Sequence, residues 1–218
     1  SQIHAGGRGA GYFSGYSKDK GGIRLANSIE DARKEASFML GNNLITKQTG
    51  PKGKLVNIVY IEEGCSIKKE FYLSLLVDRK IAKIMLMVSE SGGINIEQIA
   101  LDEPNKIFTY HFETSNNNDE DLINLAKKLS FTKSQRNEFC QIINKLLKVF
   151  LELDASTIEI NPLAINSNGS LILLDAKMVF DDNALFRHPE ILSLKDESEE
   201  DPFELLAAKN QMNYVKLE

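Results

Sequence analysis

Two apolar stretches on either side of residue 168 carry polar side chains that could hold a metal ion. STIEINPLAIN (156–166) and SLILLDAKMV (170–179) contain Glu159, Asn161, Asp175 and Lys177. Charged and amide groups inside apolar strands are unfavourable unless they pair or bind something. Amide and carboxylate oxygens are hard ligands, and Mg²⁺ is commonly held by one or two of them together with phosphates and water. The pattern therefore fits a metal–nucleotide site.

The geometry of a β-hairpin places these polar residues relative to one another. Asn166 to Gly169 favour a turn, and a turn centred near Asn168 sets Asn161 opposite Asp175 and Glu159 opposite Lys177. Opposed residues on antiparallel strands share a face. The other face would carry Ile158, Ile160, Ile172, Leu174 and Ala176. Two alternatives stay open: a solvated face on which Glu159 and Lys177 form an ordinary ion pair, and a register shifted by one residue.

The segment HAGGRGAG (4–11) could cover phosphate groups. Glycines let backbone N–H groups approach phosphates closely, and Arg8 adds a charge-assisted donor. The segment does not match GxxxxGK[ST], and Gly7, Gly9 and Gly11 lack the strand and helix that a dinucleotide-binding fingerprint needs. A flexible hairpin tip is an equally good interpretation.

Hydrophobic periodicity predicts the elements that must position these residues. A helix begins at the N-cap Ser28 and ends at Gly41. Strand-like runs follow at 55–62, 69–78 and 81–88. DLINLAKKLS and TKSQRNEFCQIINKLLKVFLELD have helical spacing, the second with a capping box formed by Thr132 and Gln135. Runs of strands beside runs of helices predict an α+β chain.

Composition narrows the functional classes. A chain of 218 residues, 42% of them hydrophobic, can bury a core in one domain or two lobes. Its net charge of -5 argues against a general nucleic-acid binder. It has no run of about 18 apolar residues that would predict a membrane span. Cys65 and Cys140 predict neither a disulfide framework nor a zinc site, which favours a reducing compartment.

Several segments together resemble the β subunit of succinyl-CoA synthetase (succinate–CoA ligase), a member of the ATP-grasp superfamily. They are QIHAGGRG, QTGPKGKLVN, KEFYLSLLVDR, ESGGINIE, IEINPL, LLDAK, FDDNALFRHPE and DESEEDP. Their order and spacing cover essentially the whole chain. The resemblance implies an ATP-grasp fold, with nucleotide between two α+β lobes. Residues 1–62 would form part of the smaller lobe with the glycine-rich loop, and 63–218 the larger lobe with the hairpin.

The resemblance also implies a reversible reaction of the tricarboxylic acid cycle. Succinyl-CoA, phosphate and ADP or GDP give succinate, CoA and ATP or GTP through a phosphohistidine on the α subunit. That subunit is the expected partner, in a heterodimer or heterotetramer, and Mg²⁺ and the nucleotide are the expected cofactors. The bacterial cytoplasm is the expected location, with the mitochondrial matrix as the alternative. A malate or citrate-cleaving acid–CoA ligase and a non-catalytic nucleotide-binding or assembly module remain alternative functions.

Site residues follow from the same resemblance. The expected nucleotide contacts are Gly7, Arg8, Gly9, Glu62, Cys65 and Glu70, with Cys65 acting through its backbone. Asn161 and Asp175 correspond to the magnesium ligands, the pair that the hairpin geometry also places together. Glu159 corresponds to the glutamate that meets the phosphohistidine. None of the three histidines, His4, His111 and His188, is expected to carry the phosphate.

The chain departs from the family pattern in two respects. Ala10 stands where a lysine is common, which removes a positive charge near the phosphates. Family β subunits also extend beyond both ends of this sequence, with a strand–helix unit and a nucleotide-contacting lysine before it and a CoA-ligase domain after it. That domain contributes to the succinate and CoA sites. We therefore expect this segment to be a fragment without turnover by itself.

Overall fold

The computed structural model describes residues 1–3, 5–16, 21–94, 96–113, 119–195, 197, 201–210, 212 and 214. His4 lies outside the described residues. The chain divides into two units, Ser1–Gly64 with Asp196–Glu218, and Cys65–Lys195. Among the residues described, no helix is long and apolar enough to cross a membrane.

The helices and strands follow one another in this order along the chain: β1 (Tyr12–Phe13), α1 (Ile29–Met39), β2 (Asn43–Ile45), β3 (Lys54–Leu55), β4 (Ile67–Asp78), β5 (Lys83–Ser89), α2 (Ile96–Asp102), β6 (Ile107–His111), α3 (Asp119–Lys128), α4 (Lys133–Glu152), β7 (Ala155–Asn166), β8 (Leu171–Leu173), β9 (Ala176–Phe180), α5 (Pro189–Leu192) and α6 (Pro202–Lys209).

The first unit contains a small antiparallel sheet, β1-β2-β3, and the amphipathic helix α1. Ser28 caps the helix as predicted, because its Oγ accepts the backbone N–H of Asp31 at 3.1 Å. Met39 at the other end joins an apolar cluster with Ile3, Phe13, Leu44 and Val56. The chain then leaves the helix through Gly41 at φ 78, a conformation that favours glycine.

The strand predicted over residues 55–62 is wrong for most of its length. β3 ends at Leu55, and beyond it Ile58 makes one isolated bridge, to Gln2. Ile58, Tyr60 and Ile61 are exposed. In the part of the chain that the structure describes, no further strand pairs with this segment. An apolar run becomes a strand only where a partner satisfies its backbone hydrogen bonds.

The second unit contains a six-stranded antiparallel sheet in the order β6-β5-β4-β7-β8, with β9 also paired to β7. β4, β5, α3 and α4 confirm predicted elements, whereas β6 and α2 were not predicted. The predicted capping box of α4 is present. The N–H of Thr132 donates to Oε1 of Gln135 at 2.9 Å, and the N–H of Gln135 donates to Oγ1 of Thr132 at 3.4 Å.

One face of this sheet packs on α3 and α4 and forms the main core. Its fully buried side chains include Phe71, Leu73, Leu75, Phe139, Ile143, Ile158 and Ile160. Alternation along β4 therefore turns Glu70, Tyr72 and Ser74 to the opposite face. We call this opposite face, with the positions paired to it on β7 and β9, the polar face. The predicted α+β class is confirmed.

Candidate functional site

The hairpin register predicted from the sequence is confirmed. β7 pairs with β9 so that Glu159 lies opposite Lys177, and the N–H of Asn161 donates to the carbonyl of Asp175 at 3.0 Å. A register shifted by one residue is thereby excluded. Glu159 and Lys177 are register partners, and no ion pair joins them among the described residues.

A β-bulge between β4 and β7 sets the direction of Asn161. Asn161 and Pro162 together oppose the single residue Tyr72, because the register passes from Leu73↔Ile160 to Phe71↔Leu163. The additional residue resets the alternation of β7. Asn161 can thus lie on the polar face although Leu163, two positions later, is buried in the core.

The bulge also corrects part of the predicted face assignment. Ile172 was expected on the core face of the hairpin. The structure instead packs Leu171 against the core, together with its register partner Ile165. Strict alternation could not predict this, since the irregularity lies between the candidate metal ligands and β8.

The Asn161 side chain is held by the loop that joins β5 to α2. Its Oδ1 accepts the N–H of Gly93 at 2.8 Å, and its Nδ2 donates to the carbonyl of Ile94 at 3.1 Å. The two bonds together fix which end of the amide is oxygen. Because an amide oxygen has two lone pairs, Oδ1 has one remaining for a cation.

Asn161 and Asp175 form an oxygen pair that fits Mg²⁺. Asp175 is exposed at the interruption between β8 and β9, and its backbone is bonded to that of Asn161. The pair supplies two hard oxygens, a number that Mg²⁺ often takes from protein, with phosphate oxygens and waters completing its shell. In the described ranges no group of three or more His, Cys, Asp or Glu side chains is arranged to hold a metal ion.

Tyr72 lies on the polar face near Glu159, and sequence reasoning missed it. It is 5% exposed, and Glu159 is half-buried. Burial raises the pKa of the Tyr72 hydroxyl, and the negative charges of Glu159 and Glu97 raise it further. The hydroxyl therefore stays protonated at neutral pH and can donate a hydrogen bond. Its position two residues after Glu70 in KEFYL was the signal available in the sequence.

The glycine-rich segment folds into a turn that begins at Arg8 and ends at Gly11. The carbonyl of Arg8 accepts the N–H of Gly11 at 3.3 Å and that of Gly22 at 2.8 Å. Gly7 has φ 73, and both Gly7 and Gly9 are exposed, as a loop that covers phosphates requires. A Cβ on Gly21 would collide with the carbonyl of Gly9, so the backbones of these two glycines are in contact.

Arg24 holds Gly21 in place, and the sequence did not predict this role. Its Nε donates to the carbonyl of Gly21 at 3.0 Å, and its guanidinium forms an ion pair with Glu35. The guanidinium also lies 4.4 Å from the centre of the Phe38 ring. These contacts fix Gly21, and Gly21 in turn packs on Gly9.

The remaining predicted nucleotide contacts lie in different surroundings. Glu62 is exposed in the first unit, whereas Cys65 is half-buried in the second. Glu70 is half-buried on β4, next to the Gly93 that holds Asn161. Within the second unit the structure thus brings Glu70, Asn161 and Asp175 into one region. The roles of all these residues toward nucleotide and metal stay predictions.

Comparison with known proteins gives a family match, similar relatives and a similar solved structure. The model of the ATP-grasp domain family matches residues 1–165. The β subunit of ADP-forming succinate–CoA ligase from Acidiphilium cryptum is 48% identical over 219 residues, which is 100% of this chain and 55% of that subunit. The corresponding subunit from Bartonella tribocorum is 50% identical over 220 residues, again 100% of this chain and 55% of the relative. The chain therefore spans about half the length of the curated relatives that it matches.

A solved structure with the same fold is ATP citrate lyase from Methanothrix soehngenii in complex with citrate and coenzyme A. It superposes with a TM-score of 0.59 at 16% identity, over 85% of this chain and 42% of the other. At this identity the superposition supports the fold alone. With the family match, it confirms the ATP-grasp fold, and the relatives confirm the resemblance noted in the sequence.

Proposed function

We propose that this chain, which belongs to the ATP-grasp domain family, is the nucleotide- and magnesium-binding part of the β subunit of a succinate–CoA ligase. The parent enzyme would interconvert succinyl-CoA, phosphate and ADP with succinate, CoA and ATP. The relatives that align over the full chain are named ADP-forming, which favours ADP over GDP. The parent reaction would belong to the tricarboxylic acid cycle.

The observation that carries this proposal is the meeting of Asn161 and Asp175 across the β7–β9 pairing, two residues along β7 from Glu159. Phosphoryl transfer depends mainly on positioning and on neutralising phosphate charge. In the proposed site Asn161 and Asp175 hold Mg²⁺, which supplies that neutralisation when bound. Arg8 and the N–H groups of the glycine turn bind the phosphates, and Glu70 and Glu62 contact the nucleotide.

Glu159 is proposed to accept a hydrogen bond from a histidine that the α subunit carries. Glu159 is half-buried on the polar face, two residues from Asn161. Tyr72 lies on the same face, and its hydroxyl, whose pKa burial raises above the ordinary 10, is a hydrogen-bond donor at neutral pH. In this proposal the phosphohistidine belongs to the α subunit, so neither described histidine of this chain carries the phosphate; His111 is bonded to Asp78 and His188 to Asp154.

The proposal extends to lobes, partner and location. Residues 1–62 and 63–218 would contribute to the smaller and larger lobes that enclose the nucleotide. The α subunit would complete a heterodimer or heterotetramer, and succinate and CoA would bind through it and through parts of the parent protein other than this chain. Bacterial relatives and two unpaired cysteines support a cytoplasmic location.

The test is a steady-state assay of CoA release by the complete β subunit in complex with the α subunit. We expect release from succinyl-CoA that requires ADP, phosphate and Mg²⁺, with malyl-CoA and citryl-CoA as poor substrates. The isolated 218-residue chain should give no turnover. A complex that cleaves malyl-CoA or citryl-CoA in preference to succinyl-CoA would refute the proposed acid specificity. ADP-dependent release by the isolated chain would refute its assignment as one part of a larger site.

A further inference from the structure

We propose that the loop Ser91–Ile94, SGGI, is a positioning element. Its residue Gly93 lies against both the proposed nucleotide contact Glu70 and the proposed metal ligand Asn161 and fixes their side chains relative to each other. This inference rests on the proposed function, because it takes Glu70 and Asn161 as parts of the site. The loop itself was assigned no role by the sequence, where it appeared only as one of the segments that carry the family resemblance.

The loop is bonded to Asn161 by its own backbone. The N–H of Gly93 donates to Oδ1 of Asn161 at 2.8 Å, and the next carbonyl, that of Ile94, accepts from Nδ2 at 3.1 Å. A movement of this loop therefore moves or releases the amide oxygen that is proposed to bind Mg²⁺. Groups that orient a metal ligand from outside the ligand shell commonly tune metal affinity and activity by about 10–100-fold.

The Glu70 carboxylate lies close to the same loop residue, where the absence of a Cβ leaves room for it. A Cβ added to Gly93 would stand 2.5 Å from Oε2 of Glu70 and 3.3 Å from its Cδ. Gly93 has φ 70, so its backbone also disfavours any residue with a side chain. Glycine at this position thus permits Glu70 and Asn161 to approach one backbone unit from two strands.

Gly92 fixes the height of the loop above the sheet. A Cβ on Gly92 would collide with the backbone N, C and O of Phe71, which directly follows Glu70 on β4. The start of the loop is held as well, since the N–H of Ser91 donates to Oγ of the buried Ser89 at 3.2 Å. Backbone contact at Gly92 and hydrogen bonds at both ends make the loop a fixed spacer between β4 and β7.

The experiment compares Gly93→Ala with Gly169→Ala. Both glycines have positive φ, 70 and 86, so alanine strains both backbones similarly. Gly169, in the hairpin turn, has open space where its Cβ would be, whereas the Cβ at position 93 meets Glu70. Steady-state kinetics on the complete subunit with the α subunit, over a range of Mg²⁺ and ADP concentrations, separate KM from kcat, and urea unfolding of the same variants measures stability.

We expect Gly93→Ala to raise the KM for ADP and the Mg²⁺ concentration at half activity by about tenfold or more. Gly169→Ala should leave the KM for ADP and the Mg²⁺ concentration at half activity at their wild-type values. The two variants should lower the urea midpoint by similar amounts. In a Glu70→Gly background, Gly93→Ala should raise the KM for ADP by less than it does alone, because the collision partner is gone.

Gly93→Ala with wild-type KM for ADP and wild-type Mg²⁺ dependence, in an active enzyme, would overturn the positioning proposal and leave the proposed function intact. Equal effects of Gly93→Ala and Gly169→Ala on KM would overturn it too, because backbone strain alone would then explain both. An inactive wild-type complex would refute the proposed function itself and, with it, the role assigned to the loop.

Discussion

Replacing Asn161 by alanine should remove two kinds of interaction that can be measured separately. The first is structural, since the amide bonds the backbone of Gly93 at 2.8 Å and of Ile94 at 3.1 Å. Each such bond contributes about 0.5–1.5 kcal/mol net. Asn161 is only half-buried, so water can replace part of both bonds, and we expect a loss of about 1–2 kcal/mol. For a chain of this size that lowers Tm by about 2–8 °C.

The second interaction is the proposed metal contact, which Asn161→Asp distinguishes from the first. Aspartate keeps an oxygen that can accept the N–H of Gly93 and bind a cation, but it cannot donate to Ile94. We expect Asn161→Asp to lose at least as much stability as Asn161→Ala, because a carboxylate oxygen would face the carbonyl of Ile94, and to keep Mg²⁺-dependent ADP binding, which Asn161→Ala loses.

Urea denaturation of the isolated chain and calorimetric titration of the complete subunit with ADP, with and without Mg²⁺, measure the two effects. The matched control is Asn168→Ala, at an exposed position in the turn of the same hairpin. An Asn161→Ala variant as stable as Asn168→Ala would refute the hydrogen-bond argument. Full Mg²⁺-dependent binding by Asn161→Ala would refute the ligand assignment.

Two further predictions concern stability. Arg187 and His188 hold the pKa of Asp154 down to about 2, below its ordinary 3.8. The ionised Asp154 carboxylate therefore stabilises the folded chain above about pH 4, and this contribution is lost as the pH falls through 2. The difference in unfolding free energy between the wild type and Asp154→Asn should shrink between pH 5 and pH 2, and a difference independent of pH would contradict the assignment. Phe139 is fully buried against Phe131, and its replacement by alanine should lower the free energy of unfolding by about 3–5 kcal/mol. Replacement of the exposed Leu151 by alanine should lower it by less than about 1 kcal/mol. Equal urea midpoints for the two alanine variants would contradict this account of the core.

The parts of the fold that depend on neighbouring residues could be predicted from the sequence. The hairpin register followed from one turn signal and the alternation of side chains, and Glu159 does lie opposite Lys177. The capping box at Thr132 and the N-cap at Ser28 were equally local, because donor and acceptor are three residues apart. Local geometry of this kind leaves few alternatives for the chain.

The features that were missed depend on contacts between distant segments. The run 55–62 has the pattern of a strand, but pairing is a property of its neighbours, and Tyr60 and Ile61 remain exposed. The bulge at Asn161 arises from the register between β4 and β7, which alternation within one strand cannot show. The contact of Gly93 with Glu70 and Asn161 joins residues 23 and 68 positions apart in the sequence. The sequence shows Gly92 and Gly93 but does not indicate which residues they contact.

The central claim is that Asn161 and Asp175 bind magnesium together with a nucleotide, and Asp175→Ala tests it most directly. Titration of the complete subunit with ADP by calorimetry, in Mg²⁺ and in EDTA, is the measurement, with the exposed Asp182→Ala as the matched control. We predict that Mg²⁺ strengthens ADP binding to the wild type and to Asp182→Ala, and that Asp175→Ala folds normally but loses this dependence on Mg²⁺. Unchanged Mg²⁺-dependent ADP affinity in Asp175→Ala would contradict the claim.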